Sequence, residues 1–356
     1  MKKIILLVLL LLALSLCGCT KRQDKTSAKD QANTMQTTAV PGDVAANTET
    51  TVYPYTFIDS LGNSVTLEAP PQKVAVLFSS YADIWQTAGG EVAVTVGDSI
   101  ERGFASESCL IVDEGSGHTV IDTELLVASE PDLVIGTTDY EVQREAVKLC
   151  ADNGIPAAVF QVETFGDYLS MLEICTQITG QPELYQKHGI EIGEKIKALL
   201  ADIETLQTDI ESHTTDNIGA SEAAARKSIL LVRAGSSDRS TKAKTASDHF
   251  VCAMLNELKT YNIAESAPVL LDGLSIEEIM IADPDHIFIT TMGDESAARE
   301  HMNSVLGSAG WKDLTAVKQN TYTYLPKELF HYKPNSRWYE AYQYLAEILY
   351  PELQFD

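Results

Sequence analysis

"EPDLVIGTT" (130–138) returns 153 positions later as "DPDHIFITT" (283–291). In each copy Pro-Asp precedes an apolar run of strand length and Thr-Thr follows it, so each predicts one buried strand with polar ends. Residues 121–138 align with 274–291 at the same offset, which pairs Glu124 with Glu277, Pro131 with Pro284 and Asp132 with Asp285. Each copy opens on a candidate helix cap, Asp122 or Ser275. The short helix that follows must stop ahead of its proline, because the residue before proline is pushed out of the helical region. In the second copy Ser275-Ile276-Glu277-Glu278 has the spacing of a capping box, with Glu278 reaching back to the cap. A helix, Pro-Asp, strand unit stated twice predicts two related halves.

The flanking sequence extends this reading. "KVAVLFSSYADIW" (73–85) is a buried-strand run that breaks at Ser79-Ser80 into a helix. "EVAVTVG" (91–97), "NGIPAAVFQ" (153–161) and "KSILLVRAG" (227–235) add strands, and "EVQREAVKLCAD" a helix. Strands alternating with helices predict an α/β fold with largely parallel sheets covered on both faces. Between the halves, 181–212 carries apolar residues at Ile192, Ile196, Leu199, Ile203, Leu206 and Ile210, with Pro182 suited to a first helical turn. A helix of that length reaches about 45 Å, enough for a rod between two lobes. The expected architecture is therefore two Rossmann-like lobes, 52–180 and 213–356, joined by one long bridging helix at 181–212, with a ligand cleft between the lobes.

The chain begins "MKKIILLVLLLLALSLCGC", the layout of an export signal over 1–19. Leu16-Cys17-Gly18-Cys19 resembles the lipobox of bacterial lipoproteins, with Cys19 as the lipidated residue, since Gly18 suits the cleavage position better than Leu16. Residues 20–51 have no aromatic and no apolar period, the composition of a flexible tether. Net charge is −25, which argues against nucleic acid as a partner. Cys109, Cys150, Cys175 and Cys252 have no metal-type spacing, and nothing requires them to pair. The absence of HExxH, GxSxG and a nucleophile-base set points away from an enzyme, and no cofactor is called for.

Together these features resemble the substrate-binding lipoproteins of ABC importers for ferric siderophores, haem and vitamin B12. The resemblance spans roughly 54–351 and rests on the order of several segments: "YTFIDSLGNSVTLEAPPQKVAVL" (55–77), the two copies of the repeat, "GIPAAVF" (154–160), "GWKDLTAVKQNTYTYLP" (310–326) and "SRWYEAYQYLAEILYPE" (336–352). It implies a stiff, monomeric two-lobed clamp, anchored by lipid on the extracytoplasmic face of the cell membrane. The clamp would deliver cargo to a permease dimer driven by a cytoplasmic ATPase. It also implies that Glu124 and Glu277 dock arginines of the two permease subunits. Read from the residues alone, a glutamate in a first helical turn is also favoured by the helix dipole, by about 0.3–1 kcal/mol.

Cleft residues in open α/β sheets lie beyond the carboxyl ends of strands. That rule nominates Ser79, Ser80, Tyr81 and Tyr140 in the first lobe, and Arg233 and Arg239 in the second. "FHYKPNSRW" (330–338) adds His331, Tyr332, Lys333 and Arg337. The excess of Arg and Lys in the second lobe of so acidic a chain predicts an anionic ligand. A ferric siderophore, with its negative oxygen donors, fits first. Haem is the alternative, with His331, Tyr332 or Tyr140 as axial ligands, and cobalamin follows. Arg337 also has a structural reading at a helix start, and Trp85 at helical spacing reads as core.

Overall fold

The computed structural model describes residues 51–114, 120–214 and 226–355. The expected signal with Cys19, and the tether up to residue 50, lie outside the described residues. A hairpin of β1 (Tyr55–Ile58) and β2 (Ser64–Leu67) leads into a first sheet of five parallel strands: β3 (Val74–Val76), β4 (Val94–Thr95), β5 (Leu110–Ile111), β6 (Leu133–Thr137) and β7 (Ala157–Phe160), in the order β5-β4-β3-β6-β7. The second sheet holds β8 (Ser228–Ala234), β9 (Lys242–Ala243), β10 (Tyr261–Asn262), β11 (His286–Thr291) and β12 (Tyr322–Tyr324). Its parallel order is β10-β8-β11-β12, with β9 antiparallel on β8. The fold is α/β, with two parallel sheets.

The repeat now has a physical reason. Its strands are β6 and β11, each paired to the first strand of its parallel sheet, β3 or β8. Asp132 Oδ2 accepts the backbone N–H groups of Gln72 and Lys73, both at 2.8 Å, where β3 begins. Asp285 Oδ2 accepts the Ser228 N–H and hydroxyl, both at 2.8 Å, where β8 begins. The Pro-Asp aspartate thus fixes the register of two central strands by holding donors ahead of the ladder. Before each proline the chain takes a left-handed residue, Glu130 (φ 49°) or Asp283 (φ 38°), which ends the helix and turns the strand back.

The caps of the two copies differ. Asp122 accepts from the Leu125 N–H at 2.9 Å, as its position predicts. The expected capping box at Ser275 does not form: its hydroxyl donates to Glu277 Oε2 at 3.2 Å, and no side chain caps that helix. A hydroxyl turned to a neighbouring carboxylate leaves the first N–H groups of the helix to other partners.

Between the sheets the chain is helical at Pro182–Tyr185 and Glu191–Thr214, with a π-helical turn at Gln186–Ile190 in place of an unbroken α-helix. Pro182 occupies the first turn. The stripe Ile196, Leu199 and Ile203 is buried, in one core with Val76 and Ile135 of the first sheet, Leu231 and Phe288 of the second, and Trp338 and Leu345 of the carboxyl-terminal helix. One face of each sheet therefore drains into a shared core. Two smaller cores, around Leu230 and Ile289 and around Ala75 and Val134, serve the opposite faces.

Candidate functional site

Five strand ends converge on a cavity of about 310 Å³. From the first half come Ser79 and Ser80 after β3, Asp98 and Arg102 after β4, and Tyr140 after β6; from the second come Gly293 after β11 and Lys327, His331, Tyr332 and Lys333 after β12. A second cavity of about 320 Å³, with Asp238, Ile276 and Trp311 among its walls, belongs to the second half alone and carries no cation. Charge and the meeting of both halves, not size, single out the first. Its volume lies at the small end of ligand pockets, roughly 300–1,000 Å³.

Arg102, which sequence reasoning missed, is the best-held side chain of the cavity. Its Nη1 donates to Ser79 Oγ at 2.5 Å and lies 3.5 Å from Asp98 Oδ2. Ser79 in turn donates to Asp98 at 2.5 Å. The guanidinium stacks 3.5 Å from the Tyr332 ring centre and 4.7 Å from that of Phe104, so the two halves meet through it. Burial lowers its pKa, countered chiefly by Asp98. An arginine keeps its charge even so. The signal was available, since Gly97–Glu101 is the short helix directly beyond β4, where the strand-end rule applies as it does after β3.

Lys333 crosses to Glu163 at 2.6 Å, and Lys327 lies 5.6 Å from the Tyr332 ring centre. His331 is mostly buried; burial first, then Lys327, Arg102 and Arg233, hold its imidazole below the ordinary value. It is therefore neutral at pH 7, presenting a polar ring without a charge. Tyr140 is half-buried and edges on Phe78 at 5.9 Å; burial, Asp139 and Asp98 push its phenol up, while Arg233 pulls it down. Among the described residues no three His, Cys, Asp or Glu side chains are grouped to hold a metal ion. The four cysteines of the described residues are free.

Four of the expected site residues lie outside the cavity lining. Tyr81 is fully buried, and its hydroxyl donates to the Phe160 carbonyl at 3.1 Å, so it belongs to the core and lies outside the cavity lining. Arg337 turns to Glu340, bonding both carboxylate oxygens at 2.7 and 2.6 Å, outside the cavity. Arg239 is exposed on the 3-10 turn Asp238–Ser240, away from the cavity lining. Ser80 lines the cavity but is itself buried, and Arg233 is half-buried near the end of β8, outside the lining residues, with its charge reaching Tyr140 and His331. Trp85 is core, with its indole N–H on the Glu91 carbonyl at 3.0 Å. Glu124 and Glu277 are both exposed, in the first turns of the helices Thr123–Ala128 and Ile276–Ala282.

The chain is similar to an uncharacterized ABC transporter substrate-binding lipoprotein, YvrC, of Bacillus subtilis (strain 168), at 24% identity over 97% of this chain and 96% of that one. Among solved structures it resembles Staphylococcus aureus SirA complexed with staphyloferrin B, with TM-score 0.58, 17% identity, and 85% and 99% of the two chains covered. The periplasmic vitamin B12 binding protein BtuF of Vibrio cholerae gives 0.59, 17%, 79% and 97%. At those identities the structures establish the fold. The family model described as periplasmic binding protein matches residues 74–329, and with two sheets closing one cavity between their strand ends, the chain belongs to the periplasmic binding protein family.

Proposed function

We propose that this protein is the lipid-anchored substrate-binding component of an ABC importer, and that it captures a ferric siderophore on the extracytoplasmic face of the cell membrane. The observation that carries the reading is the charge of the cavity: Arg102, Lys327 and Lys333 converge there in a chain of net charge −25. Among the described residues Asp98 is the one carboxylate in the lining, so the three cations leave the wall with an excess of positive charge that favours an iron chelate with negative oxygen donors over a bare metal cation. Phe78, Tyr140 and Tyr332 add aromatic surface for the organic part of such a chelate. In this reading 52–180 and 213–356 are the lobes, 181–212 bridges them, 20–51 is the tether, and Cys19 carries the lipid. Ser79, Ser80, Tyr140, His331, Tyr332 and Lys333 face the cargo. Haem is a second reading, favoured by the neutral His331 in the cavity wall. A neutral imidazole is the form that ligates iron.

Glu124 and Glu277 serve as docking points for the two subunits of a permease. Both are exposed, at matching places in the two halves. Exposed ion pairs contribute only about 0–1 kcal/mol each, so their role is orientation. The binding test uses a soluble form starting at residue 51, titrated calorimetrically with ferric hydroxamates, ferric catecholates, haem and cobalamin. Saturable binding of an iron chelate is expected, and binding of cobalamin alone would defeat the reading. For docking, Glu124→Arg with Glu277→Arg leaves cargo affinity unchanged and abolishes uptake by cells; normal uptake would sink that role.

A further inference from the structure

Arg233 stands where the alternation of β8 calls for another core residue. Ile229 and Leu231 face the shared core, while Leu230, Val232 and Ala234 face the smaller one. A period of two turns Arg233 to the side of Ile229 and Leu231. Its partner across the parallel ladder, Thr290, lies on that same face. The Arg233 Nε is buried without a hydrogen-bond partner, and so is the Thr290 hydroxyl beside it. Among the described residues Arg233 makes no ion pair, nor do Lys242 opposite it on β9 and Lys327 in the cavity wall, whereas Arg102 pairs with Asp98, Lys333 with Glu163 and Lys244 with Asp248. Nor do the neighbouring rings compensate it. Arg233 acts on His331, His249 and Tyr140, of which burial keeps both histidines neutral at pH 7 and the phenol protonated.

A partly buried guanidinium gives up hydration at five donors, and here the protein returns no anion. The fork of those donors fits a planar carboxylate with two parallel bonds. Resting on the reading of the cavity as the cargo site, we propose that Arg233 is the anion anchor of that site and that the cargo carries a free carboxylate. The cargo then completes a charge pair that the empty protein lacks. Lys333 and Arg102, already paired, hold the two halves together; Arg233 sets which cargo is retained.

The test compares wild type, Arg233→Gln and Arg233→Lys in the soluble form, by calorimetric titration with matched probes. A ferric α-hydroxycarboxylate chelate is set against a ferric trihydroxamate, which has no free carboxylate, and haem against haem dimethyl ester. Wild type is expected to bind the carboxylate-bearing member of a pair about tenfold more tightly or better, roughly what one charge-assisted pair supplies. Arg233→Gln loses that preference, and Arg233→Lys keeps part of it. Without cargo, Arg233→Gln melts about 2 °C above wild type, because an uncompensated charge has been removed. A wild-type preference that survives Arg233→Gln overturns the proposal while leaving the cargo site standing. An empty Arg233→Gln protein that melts several degrees lower overturns it too, by making the arginine structural. If wild type binds none of the four probes, the cargo-site reading falls and this one falls with it.

Discussion

Acid should loosen this protein through histidines that it buries uncharged, and His249 offers the cleanest handle. Burial first, then Lys333, Lys244 and Arg233, bring its pKa down to about 3; burial and Lys227 bring that of His286 down to about 4. In the unfolded chain both titrate near 6.5. Below that value the unfolded state binds protons that the folded state refuses, so the stability present above pH 6.5 is lost progressively as pH falls towards the folded values. Each pH unit costs about 1.4 kcal/mol per group, hence about 2 kcal/mol per histidine at pH 5. The pair together removes about 4 kcal/mol from a stability of order 5–15. Asp83 and Glu257, whose buried carboxyls are raised, act in the opposite sense. A comparison of variants cancels them. His249 caps the helix Phe250–Glu257 by accepting from the Val251 N–H at 3.3 Å, and asparagine is a good acceptor at such a cap. Urea unfolding of wild type and His249→Asn at pH 8 and pH 5 is the assay. The loss between the two pH values should be smaller in the variant by about 2 kcal/mol, whatever the packing cost of the substitution at pH 8. Equal losses in the two proteins would refute the linkage.

Two further substitutions probe the scaffold. A methyl group added at Gly136, near the end of β6, would lie 2.8 Å from Val147 Cγ2, so Gly136→Ala should cost about 1–3 kcal/mol by overpacking, measured by urea denaturation at neutral pH. Asn335 is fully buried at φ 52°, with its amide donating to the Ser80 carbonyl at 2.8 Å and to Asp83 Oδ2 at 2.7 Å. Asn335→Ala removes both bonds and takes a donor from the half-buried Asp83 carboxylate, and a loss of about 1–3 kcal/mol is expected from the same measurement.

What the sequence made legible, and what it hid, follows from the reach of each physical signal. The repeat was legible because a buried strand, a proline stop and an aspartate at the strand start are all local, and each constrains only its neighbours. Even so, the reason for the aspartate appeared only once β3 and β8 lay beside β6 and β11, since its partners are 59 and 57 residues distant. The capping box at Ser275 misled because Glu277, two residues on, takes the hydroxyl that the box would turn to the helix N–H groups. The strand-end rule found the right loops but not the right side chains. Beyond β3 the helix opens at Ser79, and successive residues rotate by about 100°, so Ser79 meets the cavity while Tyr81, two steps on, points into the core. Arg337 was captured by Glu340 three residues later, a spacing that puts both on one helix face and was open to inspection. Arg102 was hidden because it stands alone in an acidic segment, and only the fold brings it a carboxylate and two aromatic faces. Charge counts over a segment thus point to a lobe. Which cations the fold pairs, as it does Arg102 and Lys333, and which it leaves unpaired, as it does Arg233, is a property of three dimensions.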